Sequence, residues 1–406
     1  MADVEDHLVI VGASLAGVRA AQAARAEGFW GSITLVGDEL HLPYDRPSLS
    51  KEFLEPGGAI DPVELSSPAS MAELNITLAL GETATGIDTC RQVIQTDQGE
   101  HRYTSAVIAT GSAPVRLPGT DDLDGVHVLR TLDDARSIRS ALDHGGRVVV
   151  VGGGFIGAEV ASAARKRDLE VTIVEAAAVP LVRAVGQQMG AVLSALHTRY
   201  GTELRCNTAV AGFEGADRVE SVLLADGRRL PADLVVVGVG SRPASSWLHD
   251  SDVMLANGIL CNENLQTSIA NVYAAGDVAY WYNSLFDRQM RIEHYMAAGE
   301  QGACAGRNAV RPLQPSPYIT VPYFWSDWYG HRIQFVGIAT GESELVSGSF
   351  DDEQFAVLFR EGETIVGALT LNGQRKIMKY RRMIAQKTSY AEALAFASAR
   401  ITTAVS

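Results

Sequence analysis

Val148-Val149-Val150-Val151-Gly152-Gly153-Gly154-Phe155-Ile156-Gly157 runs from an unbroken β-branched stretch through a G-x-G-x-x-G turn into an alanine-rich segment. Four consecutive valines suit a strand buried on both faces of a parallel sheet. The first glycine suits the tight bend that follows. The second lets backbone N–H groups approach a pyrophosphate, and the third lets helix and strand pack closely. An anion held there rests on a helix N-terminus, where free N–H groups and the macrodipole favour negative charge. Upstream, Val9-Ile10-Val11-Gly12-Ala13-Ser14-Leu15-Ala16-Gly17 repeats the pattern, with Ser14 at the middle glycine. Serine is small, and its hydroxyl can donate to a phosphate. One such motif is weak evidence. Two, each between a strand and a helix, predict two dinucleotides held by one chain. A resident redox dinucleotide and an exchangeable one are the layout of flavin–nicotinamide electron transfer.

In such units an acid about 20 positions on binds the adenosine ribose hydroxyls. Asp38 and Glu39 are the candidates in the first unit and Glu175 in the second. Ala176, Ala177 and Ala178 follow Glu175, with no arginine for a 2′-phosphate. That favours NAD over NADP.

At 406 residues the chain is too long for a single core and predicts two or three domains. A net charge of −14 argues against a nucleic-acid partner, which needs a basic footprint. No stretch approaches the ~20 uncharged apolar residues of a membrane span. Acids rather than a basic n-region precede the first strand, which argues against a secretory signal and for a cytoplasmic location. Cys90, Cys206, Cys261 and Cys304 are scattered without a CxxC, so neither a zinc knuckle nor a local dithiol pair is encoded. No metal site is expected.

The first unit reads as strands 8–11 and 32–36 around a helix over 17–27. A proline- and serine-rich stretch with a short helix over 50–54 follows. Short strands over 91–96 and 102–103 precede the run 106–109, which ends in Thr110-Gly111. The second unit has strands 147–151 and 170–175 around a helix over 156–167, then a helix over 190–200. Its last run, 234–239, ends in the breaker cluster Gly240-Ser241-Arg242-Pro243, where the chain returns to the first domain. Strands over 334–338, 344–350, 356–359 and 364–371 and a helix over 376–386 predict a small α+β domain. The fold class is therefore α/β, with two Rossmann-like dinucleotide-binding domains plus a C-terminal α+β domain. Residues 1–113 and 242–320 form a discontinuous first domain that binds FAD. Residues 114–241 form the NAD-binding domain, and 321–406 the C-terminal one.

The chain resembles the FAD-dependent ferredoxin reductases that serve bacterial cytochromes P450 and aromatic-ring dioxygenases. The resemblance covers essentially the whole length. It is carried by Gly12–Gly17, Leu35-Val36-Gly37-Asp38, Arg46-Pro47-Ser48-Leu49-Ser50-Lys51, Ala109-Thr110-Gly111 and Leu129-Arg130-Thr131-Leu132. Gly152–Glu159, Gly276-Asp277, Arg291-Ile292-Glu293-His294, Glu300-Gln301-Gly302 and Tyr323-Phe324-Trp325-Ser326-Asp327 complete it. It implies a glutathione-reductase-like architecture. It also implies that Asp38 binds the FAD ribose, that Ala16 and Arg130 lie on the pyrophosphate side, and that Ala84 meets the adenine. Lys51 then lies by the flavin ring, Asp277 at the ribityl chain, Tyr295 by the isoalloxazine and Trp325 on the ferredoxin side. The family often has tryptophan at the position of Tyr295, and a second proline where Ser48 stands. Gly12, Ser14, Leu15, Gly17, Glu39, Arg46, Ala109, Thr110, Gly111 and Gly276 complete the FAD set. Gly152, Gly154, Phe155, Ile156, Gly157, Glu159, Glu175 and Gly240 form the NAD set. Taken without the resemblance, Glu159 reads equally as an acid in a first helical turn, Lys51 as a solvated lysine, Asp277 as an N-cap and Trp325 as core.

Hydride transfer between nicotinamide and flavin needs stacking and the right electrostatics rather than a general acid or base. The resemblance pairs Glu159 with Lys51. Glu159 is expected to orient the carboxamide, Lys51 to place positive charge by the flavin, and Phe155 to gate the nicotinamide pocket. Peroxidases, oxidases and CoA-disulfide reductases of this architecture carry a redox cysteine within 42–48. This chain has none there, nor a CxxxxC after the first unit. Electrons then leave singly to an external carrier, a [2Fe–2S] ferredoxin. Such ferredoxins are acidic, and Arg375, Lys376, Lys379 and Arg382 form a basic cluster able to dock one, or else an ordinary solvated helix face. The rival functions are an NADH oxidase, an apoptosis-inducing-factor-like flavoprotein, and a redox sensor that merely holds FAD and NAD.

Overall fold

In the computed structural model, which describes residues 6–398, the chain forms two compact units. The first comprises Met1–Arg46, Pro62–Ala113 and Ser241–Thr320; the second comprises Pro47–Asp61, Pro114–Gly240 and Val321–Ser406. Residues 1–5 and 399–406, the outer ends of the expected domains, lie outside the described residues.

The first unit is built on β1 (His7–Val11), α1 (Leu15–Ala26) and β2 (Ser32–Gly37). β1 lies between β2 and the strand Ser105–Ile108, and Ile76–Leu80 and Val272–Ala274 complete a five-stranded parallel sheet. Sequence neighbours reverse direction beside β1. This is the switch point where doubly wound sheets open a crevice at their carboxyl ends. Leu8, Val9 and Ile10 are fully buried, which explains their unbroken apolar run. α1 is alanine-rich because a second helix, Tyr295–Val310, crosses it closely. A side chain added at Gly302 would strike the backbone of Ala16, and one at Gly306 the backbone of Ala20.

The second unit repeats the motif with β3 (Arg147–Val151), α2 (Phe155–Arg165) and β4 (Glu170–Val174). Its parallel sheet runs Glu203–Arg205, β4, β3, Leu234–Val237, Val126–His127. The helix α3 (Val182–Arg199) begins well before the expected 190–200, because Gly186, at φ +79°, hides the first turn behind a non-helical residue. A helix over Leu132–His144 lay outside the sequence expectations. Its signature is a capping box, in which Thr131 accepts from the Asp134 N–H at 3.2 Å while Asp134 accepts from the Thr131 N–H at 2.8 Å.

The C-terminal part is a five-stranded antiparallel sheet that opens with β5 (Tyr323–Trp328). Helices α4 (Gln374–Ala385) and Tyr390–Ser398 follow it. The sheet does not close on itself. Trp328, Ile333, Phe335 and Leu369 share one core with Ala158 of α2 and with Met189, Leu193 and Leu196 of α3. Among the described residues no helix is long and apolar enough to cross a membrane.

His197 of α3 is fully enclosed in this core, stacked on Trp328 at 5.2 Å and hydrogen-bonded through Nδ1 to the Tyr329 hydroxyl at 2.8 Å. Burial pushes its imidazole from the ordinary 6.5 down to about 4. The folded state therefore holds the neutral ring, whereas the unfolded chain takes up the proton below pH 6.5. This contribution is complete above pH 6.5 and is lost as pH falls toward 4, on the order of 3 kcal/mol in all. His197→Asn keeps a partner for Tyr329 and removes the titration. Its urea midpoint is expected to fall less between pH 6.5 and 4 than that of the parent. His294, which burial also holds near 4, is common to both proteins, so equal slopes would exclude the effect.

Candidate functional site

Each glycine turn is shaped by the strand beside it. Gly12 has φ +120° and donates its N–H to the Val36 carbonyl at 2.7 Å; Gly152 has φ +103° and donates to the Val174 carbonyl at 2.8 Å. A side chain at Gly12 would run into the Ala109 carbonyl oxygen, and one at Gly152 into that of Gly238. Gly17 and Gly157 face the carbonyls of Gly12 and Gly152, which leaves no space for a Cβ between helix and turn. The middle position is different. Ser14 has φ −123° and Gly154 φ −75°, both open to any residue. At Gly154 the nearest atom to an added Cβ is the Gly238 oxygen at 3.8 Å. Serine at 14 therefore costs the backbone nothing. Leu15, Ala16 and Gly17 open α1, and Phe155, Ile156 and Gly157 open α2. Each first turn has free N–H groups and no acidic residue.

The acids after the second strands differ by one residue in the two units. The hydrogen bonds to Val36 and Val174 make Gly37 the counterpart of Glu175. A side chain at Gly37 would collide with the Ala13 Cβ. Gly153 stands in the place of Ala13, and there Glu175 reaches the turn. Its Oε2 accepts from the Gly153 N–H and its Oε1 from the Ala177 N–H, both at 2.8 Å. In the first unit the acids shift to Asp38, which is exposed, and Glu39. Glu39 pairs with Arg46 and accepts from the Tyr44 hydroxyl at 2.7 Å, and Arg46 Nε donates to Ser14 Oγ at 3.1 Å.

The first unit holds more of the expected residues. Ala109, Thr110 and Gly111 follow the strand beside β1, and the Thr110 hydroxyl donates to the Ala244 carbonyl at 2.7 Å. Gly276, at φ +78°, donates its N–H to Gln301 Oε1 at 2.8 Å; a Cβ on it would lie 3.3 Å from that of Ala16. Asp277 accepts from the Ser112 hydroxyl at 3.0 Å. Tyr295 opens the helix that crosses α1, and burial, with a hydrogen bond to Asp45, pushes its phenol up. Ala84 is half-buried at the start of the strand Ala84–Asp88. These cradles, which a Cβ would fill, fit dinucleotide phosphates. Lys51, Arg130 and Trp325, implied for the same cofactor, belong to the second unit.

In the second unit Lys51 Nζ lies 3.0 Å from Glu159 Oε2 and 6.0 Å from the Trp325 ring centre. Phe155 packs on Phe324 at 4.6 Å between ring centres, while Ile156 is exposed. Gly240 is exposed at φ +113°, and the Arg130 N–H is held by Asp134 at 2.9 Å. Ser50 and Ser326, not singled out from the sequence, both donate to Glu159. The available signal was their position inside two of the motifs that carry the resemblance. Among the described residues no group of three or more His, Cys, Asp or Glu is placed to hold a metal, and none of the four cysteines forms a disulfide. Burial pushes the Cys261 thiol up to about 12.

Paired glycine turns on two parallel sheets define a protein that holds two dinucleotides. The chain belongs to the pyridine nucleotide-disulphide oxidoreductase family, which it matches over residues 6–302, and residues 323–402 match the reductase C-terminal family. It is 38% identical to the ferredoxin–NAD(+) reductase component of the biphenyl dioxygenase system of Paraburkholderia xenovorans, over 95% of this chain and 94% of that one. It is 36% identical to putidaredoxin reductase of Pseudomonas putida, over 95% and 93%. Among solved structures, the putidaredoxin reductase–putidaredoxin complex aligns with TM-score 0.89 and 35% identity over 94% and 93% of the chains. The ferredoxin reductase of the CYP199A2 system of Rhodopseudomonas palustris aligns with TM-score 0.90 and 30% identity over 97% and 100%. As members of this family do, the chain uses FAD and NAD(H).

Glu175→Ala removes the carboxylate that faces the second turn. Its KM for NADH is expected to rise by about tenfold or more, the loss of charged hydrogen bonds, while NADPH is affected less. Steady-state kinetics with both donors measure this, and an unchanged preference for NADH over NADPH would place ribose recognition elsewhere.

Proposed function

We propose that this chain is an FAD-dependent reductase that takes hydride from NADH. It passes single electrons to a [2Fe–2S] ferredoxin that feeds a cytochrome P450 or a ring-hydroxylating dioxygenase. The observation that carries the proposal is the pairing of two dinucleotide turns with a flavin-side segment, 41–48, that has no cysteine. A disulfide relay needs a thiol there; without one, electrons go to an outside carrier. The names of the relatives support it: one is the ferredoxin–NAD(+) reductase component of a dioxygenase system, one is a putidaredoxin reductase, and one is the ferredoxin reductase of the CYP199A2 system.

FAD, when bound, supplies acceptance of a hydride and release of electrons one at a time. The chain's own residues bind and orient. We assign Gly12, Ser14, Leu15, Ala16, Gly17, Asp38, Glu39, Arg46, Ala84, Ala109, Thr110, Gly111, Gly276, Asp277 and Tyr295 to FAD, along with Lys51, Arg130 and Trp325. Gly152, Gly154, Phe155, Ile156, Gly157, Glu159, Glu175 and Gly240 are assigned to NADH. Glu159 orients the carboxamide, Lys51 places positive charge beside the flavin, and Phe155 gates the pocket. We assign the FAD-binding domain to 1–113 and 242–320, the NAD-binding domain to 114–241 and the C-terminal domain to 321–406, and the protein to the cytoplasm.

The ferredoxin dock is assigned to α4. That helix buries Ile377, Tyr380 and Ile384 and exposes Arg375, Lys379 and Arg382. Lys376 contributes less, since its Nζ donates to the Ala397 carbonyl at 3.1 Å. On a chain of net charge −14, these cations are a local attraction for an acidic partner.

The reading is tested by following NADH oxidation with a [2Fe–2S] ferredoxin and with oxygen alone. Ferredoxin-dependent turnover supports it, and stoichiometric NADH consumption by oxygen alone overturns it. Reversing charge at Arg375 and Lys379 is expected to raise the KM for ferredoxin about tenfold at low salt, an effect that fades as salt screens the pair, and to leave the KM for NADH alone. An unmoved ferredoxin KM would displace the dock from α4. Glu159→Ala is expected to slow flavin reduction in stopped flow by about tenfold or more, and an unchanged rate would remove this residue from the site.

A further inference from the structure

Glu159 lies one turn into α2 and is 4% exposed. Its carboxylate meets more donors than an ion pair requires. Oε2 accepts from Lys51 Nζ at 3.0 Å and from Ser50 Oγ. Oε1 accepts from Ser326 Oγ and, at 3.4 Å, from the Asp327 N–H. Every group that reaches it donates, as an acceptor-only carboxylate needs.

The direction of the Ser326 bond is imposed from behind. The Trp328 indole N–H donates to Ser326 Oγ at 2.8 Å. An indole can only donate, so Ser326 must accept there, and its single hydrogen is left for Glu159. Ser326 and Trp328 are fully buried, which keeps water from competing. A carboxylate turns easily about its last C–C bond, since such torsions are broad and two-fold. Here both oxygens are held, one on β5 and one on the Ser50–Lys51 pair.

We propose that Ser326 and Trp328 are positioning residues, which with Ser50 lock the carboxylate plane of Glu159 so that Oε2 stays on Lys51. The inference rests on the role proposed above for Glu159 in hydride transfer. Without the Ser326 hydroxyl, Oε1 keeps only the long Asp327 bond. A buried acceptor left that way turns to find another donor, and the Lys51–Glu159 geometry goes with it.

The test uses the FAD-loaded protein as Ser326→Ala, Ser326→Thr and Ser50→Ala. The first measurement is the infrared carboxylate stretch of Glu159, assigned as the band lost in Glu159→Gln. The second is flavin reduction by NADH in stopped flow. Ser326→Ala is expected to move the band and to slow the limiting rate by about tenfold, with the KM for NADH changed by less than about twofold. Ser326→Thr, which keeps the hydroxyl, is expected to restore both. If Ser326→Ala does not fold, Ser50→Ala makes the same measurement from the Oε2 side. A band that stays in place in the folded alanine variants overturns the lock, and so does failure of threonine to restore it. A band that moves while the rate of reduction holds supports the lock and instead removes Glu159 from hydride transfer.

Discussion

The backbone of Gly12 and of Gly152 passes so close to a neighbouring carbonyl that no side chain fits. The rest of the structure is arranged around that approach. In each unit the turn leaves a central strand at the sheet's carboxyl end, donates its N–H to the next strand and delivers the chain into a helix whose first N–H groups have no partner within the helix. The third glycine presses that helix onto the turn. In the first unit the demand spreads further. α1 sits so low that Ala16 and Ala20 face Gly302 and Gly306 of the crossing helix, and Gly276 arrives beside Ala16 ahead of Asp277. A close-packed turn thus determines composition far from it.

The two units solve the same problem with a compensating exchange. Where the turn carries Ala13, the residue that ends the second strand must be Gly37. Where it carries Gly153, Glu175 stands at the matching position and its carboxylate fastens the turn through the Gly153 N–H, while an added Cβ at Gly153 would meet Pro180 first, at 3.0 Å. The first unit fastens its turn from another direction, through Arg46 bonded to both Ser14 and Glu39. The acids that follow the second strand therefore occur one position later there, a displacement with a steric cause.

Much of this was legible in the sequence because it is local. The valine run, the glycine spacing and the acids after each second strand lie within a single βαβ unit and read by period and position. The helix over Leu132–His144 was also legible through its capping box but was not anticipated, and the first turn of α3 was hidden by Gly186. Less legible was the shared core of the C-terminal sheet with α2 and α3, since its contacts join residues remote in sequence. The same holds for Ser50 and Ser326. Each is an ordinary serine within its own segment and gains meaning only beside Glu159.

A buried ion pair is a weak source of stability, because removing both charges from water costs much of what their attraction returns. The Lys51–Glu159 pair, with both side chains largely buried, is therefore poorly explained as a fold-stabilising device. Its surroundings point the same way. Two serine hydroxyls and a backbone N–H serve one carboxylate, and an indole N–H serves one of those hydroxyls. An apolar residue of similar volume at 159 would take the acceptor from four donors, the Lys51 ammonium, two serine hydroxyls and the Asp327 N–H, so the cluster stands or falls together. That cooperativity trades tolerance to substitution for a fixed orientation of one charge on the helix that follows the second glycine turn. Fixed orientation matters little to folding and a great deal to a reaction governed by stacking and electrostatics.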